Sequence, residues 1–244
     1  MASTRRWPVV AALALLPLLA RAAEAPPTEL KPFTASFNII WHGVSAGTAQ
    51  LQLQRLDDGR WSYQSLSTAR GLFRLAMPAE LRSRSVFSIS DGRILPDRFT
   101  ADDGVSSASK DQDLQFDWSA GRITGFAEKR RVDLPLKPGV LDTMSVQIAL
   151  MHELLRGNTP RYFVLVDKDR IKDYNYTAVG EETLTTPIGE YRTLVFRSTR
   201  PGSSTGTYFW CAPALGYLPL KVERRDANKV QWSMTLQTAS TNGN

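Results

Sequence analysis

The sequence predicts a mainly β protein: a large, curved, all-antiparallel sheet or partly open barrel (a half-barrel) with one central α-helix. Three observations carry this. Short runs that alternate apolar and polar residues recur along most of the chain, turn signals separate them at close intervals, and only the stretch Val140–Gly157 shows helical periodicity. Strands joined by hairpins must be antiparallel. About a dozen of them form a sheet too large to stay flat, so it curls or closes.

The first strands are the clearest. Phe33, Ala35, Phe37, Ile39 and Trp41 alternate with Thr34, Ser36 and Asn38; Ala49, Leu51 and Leu53 alternate with Gln50, Gln52 and Gln54. This period of two gives each strand one buried face. Hairpin signals follow at 57–60, 90–93, 102–104 and 119–122, separating runs such as Leu114–Trp118 and Arg122–Phe126. Between two of the strands lies an apolar segment, Gly71–Pro78, with Arg70, Arg74, Arg82 and Arg84 around it.

The spacing then predicts a helix over 141–156. Asp142 or Thr143 can accept a backbone N–H at its start, and Gly157 supplies the left-handed residue after its end. Leu141, Met144, Ile148, Met151, Leu154 and Leu155 fall on one side, widened by Val146 and Leu150. Ser145, Ala149, His152, Glu153 and Arg156 are left for water. So broad an apolar face packs into a concave surface. Gln147 falls inside the apolar arc and should be hydrogen-bonded, because a buried unpaired amide costs roughly 1–3 kcal/mol.

Strands resume at Arg161–Val166, a run apolar enough to be buried on both faces. Ile171–Val179, Glu181–Thr186, Tyr191–Thr199, Thr207–Cys211, Leu218–Arg224 and Val230–Leu236 follow. In the last, Val230, Trp232, Met234 and Leu236 point inward. With no linker to split it, the chain reads as a single β-rich domain over 33–238, after a linker at 23–32 and before a flexible tail at 239–244.

Residues 1–22 have the form of a secretory signal peptide: Arg5-Arg6, an apolar run from Trp7 to Leu19, and Ala20-Arg21-Ala22 as a cleavage site. Ser3-Thr4-Arg5-Arg6 is an incomplete twin-arginine pattern. The leader predicts a periplasmic protein with no transmembrane anchor in its mature form. Residues 1–22 contain three arginines and no acid, so their removal lowers the formal charge from +6 to +3. That balance offers no basic footprint for nucleic acid. Cys211 is the only cysteine, which excludes an internal disulfide and a cysteine metal cluster.

Four segments together resemble DUF3108, a bacterial family of exported proteins of unknown function. They are Asp91-Gly92-Arg93-Ile94-Leu95-Pro96, Gly139-Val140-Leu141-Asp142-Thr143-Met144-Ser145, the hairpin Glu181–Tyr191, and Trp210–Val222. The resemblance covers about residues 33–238. It implies fold and export and transfers no catalytic residue. The single helix in a curled sheet is also similar in architecture to half-barrel periplasmic carriers of lipoproteins and lipids.

No catalytic constellation is evident. His42 reads as a surface turn residue and His152 as the wet edge of the helix. Ser145, His152 and Asp142 share the helix without a nucleophile elbow, and Asp142 reads as a cap. Asp167, Asp169 and Asp173 are interleaved with Lys168, Arg170 and Lys172 and form a solvated hairpin tip. Asp102 with Asp103, and Asp111 with Asp113, are loop charges. Glu181 and Glu182, being adjacent, point to opposite sides of a strand. Cys211 reads as a buried structural thiol.

The function expected is therefore non-enzymatic, with no metal or cofactor: a periplasmic binding or carrier protein for an apolar ligand such as a lipid or acyl chain. The alternative is a cell-envelope interaction or scaffold protein with no small ligand. Cavity candidates are Met144, Ile148, Met151 and Leu155 on the helix and Leu72 and Phe73 on a flap, with Arg74, Arg82 and Arg84 as candidates for an anionic head group.

Overall fold

The structure is a computed structural model, and it describes residues 27–105, 107 and 110–241. The leader expected at 1–22 and the positions 242–244 lie outside the described residues. Among the described residues, fifteen strands form one sheet. The first eight are β1 (Phe33–Trp41), β2 (Val44–Arg55), β3 (Trp61–Ala69), β4 (Leu81–Ser90), β5 (Arg93–Asp102), β6 (Gln112–Asp117), β7 (Arg122–Ala127) and β8 (Arg130–Pro135). The others are β9 (Val140–Leu141), β10 (Tyr162–Asp167), β11 (Arg170–Thr186), β12 (Gly189–Thr199), β13 (Thr205–Ala212), β14 (Leu218–Asp226) and β15 (Lys229–Thr241). A four-residue helical turn, α1 (Phe73–Ala76), lies between β3 and β4, and the helix α2 (Ser145–Leu155) follows β9.

The spatial order is β8 to β1 and then β15 to β9. Each half of the chain is a meander of neighbouring hairpins, and the halves meet where β1 pairs with β15, Phe33 opposite Thr241. The outermost strands, β8 and β9, are consecutive in sequence, with only residues 136–139 between them. Laid flat, fourteen strand spacings would part them by about 67 Å, whereas the connection from Pro135 to Val140 spans at most about 18 Å. The sheet must therefore roll until its edges approach. It remains open, since β9 bonds only to β10. Register shifts in β1, β4, β11 and β13 mark bulges, which bend a strand and raise its twist.

Rolling creates two layers of core. Val140, Val164, Val166 and Ile171 turn one face of the β9–β11 edge onto Phe99, Leu114, Phe116, Ile123 and Val132, on the inner face of β5–β8. The opposite face of that edge, with Phe163 and Leu165, looks into the main concavity, where α2 packs against Phe33, Phe37, Tyr63, Phe87, Phe196, Leu220 and Leu236. At the upper end two ion pairs, Lys168–Glu128 and Arg130–Asp169, join the β10–β11 tip to the β7–β8 tip.

The expectation of a mainly β fold of alternating strands with a single substantial helix agrees with this structure, and several details differ. The helix begins at Ser145 rather than 141, because Val140 and Leu141 pair with Val164 and Leu165 as a short parallel strand; the sheet is not all-antiparallel. Ser145 and Ala149 do not face water: both are buried, since α2 lies against β4 and β5 as well as the opposite wall. Only the later half of 161–166 is buried on both faces, with Tyr162 exposed. The runs 171–179 and 181–186 are one strand with a bulge between Ala178 and Gly180. β15 continues to Thr241, three residues into the expected tail, because β1 offers partners for Ala239, Ser240 and Thr241.

Candidate ligand-binding site

The position of α2 determines what is left open. Asp142, ahead of its first turn, sits against Ser85 midway along β4. At the other end Arg156 Nη1 donates to the Gly92 carbonyl in the lower β4–β5 turn, at 2.7 Å. The helix thus fills the lower half of the concavity. The upper half, at the end bearing the β1–β2, β3–β4 and β14–β15 connections, is not filled.

One side of that space is a recess of about 570 Å³. The inward residues of five adjacent strands line it, among them Ile39 and Trp41 from β1, Ala49 and Leu51 from β2, and Trp232 and Met234 from β15. Phe73 and Met77, from α1 and the residue after it, cover it together with Leu81. Small residues keep it open: Ala46, Ala49, Ser65, Ser67 and Ala69 leave room where larger side chains would meet. At Gly47 a Cβ would stand 2.2 Å from the Thr68 carbonyl oxygen, so only glycine lets β2 and β3 pair so closely there. Among the described residues, Lys110 is the one charged side chain at its boundary.

The other side, on the inner face of β10–β14, is a polar recess of about 470 Å³ lined by Lys168, Lys172, Tyr174, Ser198, Arg200, Thr207 and Arg224, with Asp167 as its acid. Asp167 Oδ2 accepts from Lys172 Nζ at 2.8 Å and from the Tyr174 hydroxyl at 3.0 Å. Burial pushes the Asp167 carboxyl up, but the bonds from Lys172 and Tyr174 outweigh it and hold it below its ordinary value. Burial, followed by the charge of Asp167, pushes the Tyr174 hydroxyl up to about 12, so it stays a neutral donor.

The expected site residues are dispersed. Of the cavity candidates, Phe73 lines the apolar recess. Ile148 is fully buried and Met144 partly buried in the core. Met151 and Leu155 border a smaller lower recess of about 170 Å³ formed with Leu30, Phe33 and Leu215. Leu72 is 83% exposed, as is Leu75, so neither faces a cavity. Arg82 and Arg84 lie on the convex face of β4, away from the concavity: Arg82 pairs with Glu80, and Arg84 Nε donates to Ser62 Oγ at 2.8 Å. Strand alternation explains this, because Leu81, Ser83 and Ser85 take the inward positions. Arg74 is exposed on α1.

Other singled-out groups are structural. Asp142 Oδ1 accepts the Met144 and Ser145 N–H groups, Oδ2 accepts from Ser85, and Ser145 Oγ accepts the Asp142 N–H, a reciprocal cap. Burial raises the Asp142 carboxyl above its ordinary value, against those bonds. With Asp142 and Ser145 so engaged, neither serves His152 as a triad partner. Burial, then Arg156, lowers the His152 imidazole and keeps it neutral. His42 is in an exposed turn with positive φ. Glu181 and Glu182 do diverge: Glu181 pairs with Arg192, while Glu182 accepts from the buried Trp210 indole at 2.7 Å. Cys211 is fully buried, and burial pushes its thiol far up. Asp102, Asp103 and Asp111 converge, but each accepts a backbone N–H of its own loop.

The sequence reading placed Ile39, Trp41, Trp232 and Met234 on inward faces without recognising a recess, because periodicity does not report where the helix stops. It missed Lys172, Arg200 and Arg224. For Arg224 a signal existed: Leu220, Val222 and Arg224 share one phase of β14, which turns the arginine inward.

These features define a class: an open, rolled antiparallel sheet plugged at one end by a helix and hollow at the other. The chain belongs to the family described as "Protein of unknown function (DUF3108)", which matches residues 36–231. Its fold is similar to a β-barrel-like protein of the DUF1849 domain from Brucella abortus, at 10% identity and a TM-score of 0.53, covering 87% of this chain and 98% of that one. Looser likenesses are MucB in complex with MucA(peri), at 14% identity and a TM-score of 0.40 over 88% of this chain and 52% of that one, and the Pseudomonas aeruginosa MucA/MucB complex, at 16% and 0.39 over 92% and 56%. No curated protein matches the chain.

Proposed function

We propose that this protein is a non-enzymatic, periplasmic binding or carrier protein whose ligand is apolar, a lipid or an acyl chain, held in the recess beneath Phe73. The observation that carries this reading is the recess itself: about 570 Å³ walled by apolar and small side chains, within the roughly 300–1,000 Å³ usual for small-molecule sites. A single helical turn with no fully buried residue covers it, a cover that can lift at little cost in core packing. The leader at 1–22 supports export.

The test is native mass spectrometry of the chain from residue 23, delipidated and then offered monooleoylglycerol or oleic acid. Uptake of one molecule is expected, with loss of uptake in Ser67→Trp, where the indole occupies the recess. Delipidated protein that takes up neither compound under any condition would sink the carrier reading. The exposure of Leu72 and Leu75 favours a second reading, an envelope interaction protein that presents α1 to a protein partner. It forecasts no lipid uptake, and loss of a complex in Leu72→Ser/Leu75→Ser.

A further inference from the structure

The two upper recesses adjoin. Arg224 of β14 stands directly opposite Trp232 of β15, and cross-strand partners lie about 4.5–5.5 Å apart at their Cα atoms. Trp232 borders the apolar recess and Arg224 the basic one. Thr207, the other cross-strand neighbour of Arg224, offers a hydroxyl beside it. The acid in the basic recess, Asp167, is engaged by Lys172 and Tyr174, and Lys168 is turned to Glu128. Arg200 and Arg224 form no ion pair among the described residues. One side of the concavity therefore offers an apolar wall. The other offers two guanidinium groups that are in no ion pair among the described residues: Arg224, one strand away on β14, and Arg200, just past the end of β12 and three strands from β15, where the Asp167 charge reaches it without a direct bond. Guanidinium presents a planar fork that fits phosphate.

We propose that the two recesses form one site for a phosphate-bearing amphiphile, with its chain beneath Phe73 and its head group on Arg224 and Arg200. This rests on the reading of the apolar recess given above and adds the class of ligand. The position of Arg224 opposite Trp232 sets the head group next to the Trp232 end of the apolar recess. The convex-face arginines Arg82 and Arg84 take no part.

The test compares three probes on the chain from residue 23: oleoyl lysophosphatidic acid, monooleoylglycerol with the same chain and no phosphate, and inorganic phosphate. The phospholipid is expected to bind about tenfold or more tighter than monooleoylglycerol. Arg200→Gln/Arg224→Gln should erase that preference and leave monooleoylglycerol binding unchanged, while Arg82→Gln changes neither. Equal binding of both lipids, indifferent to the double substitution, would overturn the joined site and leave the apolar recess reading intact. Inorganic phosphate binding as tightly as the phospholipid would overturn it too, assigning the arginines to a free anion. If neither lipid binds, the recess reading fails first and this inference with it.

Discussion

Ser85 Oγ donates to Asp142 Oδ2 at 2.6 Å, and both residues are wholly buried. This bond joins the middle of β4 to the entry of α2 across 57 residues of sequence. It fixes how deep the helix sits, and so how much of the concavity stays open.

Removing Asp142 takes away the helix cap and leaves Ser85 and two N–H groups without their acceptor. Asp142→Ala should cost about 2–4 kcal/mol in urea unfolding. Ser85→Ala should cost about 1–2 kcal/mol, since the carboxyl keeps its two backbone donors. Asp142→Asn retains the oxygen that caps the helix and should fall closer to Ser85→Ala than to Asp142→Ala. Equal losses for Asn and Ala at position 142 would contradict a capping role.

Two buried carboxyls should act oppositely with pH. The folded value of Asp142 lies above its ordinary 3.8, because burial outweighs its hydrogen bonds. The folded state then holds the proton longer, and stability falls as pH rises from about 3.8 through the folded value. Burial also pushes Glu223 up, but Lys221 and Arg225 outweigh it and hold it below its ordinary 4.5. Its contribution is complete above about 4.5 and is lost as pH falls through the folded value. Urea titrations from pH 3 to 7 should show Asp142→Asn removing the decline with rising pH, and Glu223→Gln removing part of the acid decline.

Gln147 Nε2 is buried without a hydrogen-bond partner among the described residues, contrary to the expectation from sequence. An amide in that position gives up hydration with no return. Gln147→Met, close in volume, should leave stability unchanged or raise it by about 1 kcal/mol in thermal or urea unfolding. A loss above about 1 kcal/mol would show that the amide is paired in solution.

The strands and their inward faces were legible where one face is buried and the other wet, as in Phe33, Ala35 and Phe37, or in Leu236 near the end of the chain. Alternation encodes that contrast directly. The depth of α2 was not legible. Ser145 and Ala149 look like a water-facing arc because small polar and apolar residues suit both solvent and a tight contact with β4 and β5. The recess was hidden for a related reason. A cavity is a place where side chains stop short, and Ala49, Ser65 and Ser67 become informative only when the facing strand and the end of the helix are known. Parity also separates the arginine candidates from the concavity: Arg82 and Arg84 flank the flap in sequence but take the outward phase of β4, where they line an outer recess with Gln50, Gln52 and Gln64.

The pairing of β1 with β15 bears on how the protein acquires its structure. Every other antiparallel pair links strands that are neighbours in the chain, so two meanders can form by local hairpin closure as each emerges. Joining them brings Phe33 to Thr241, a closure across nearly the whole sequence, and such long-range contacts slow folding. β15, the last of the described strands in chain order, is therefore the one that joins the two halves of the sheet. A chain lacking β15 should leave the unpaired edges of β1 and β14 open, where edges favour association with other chains.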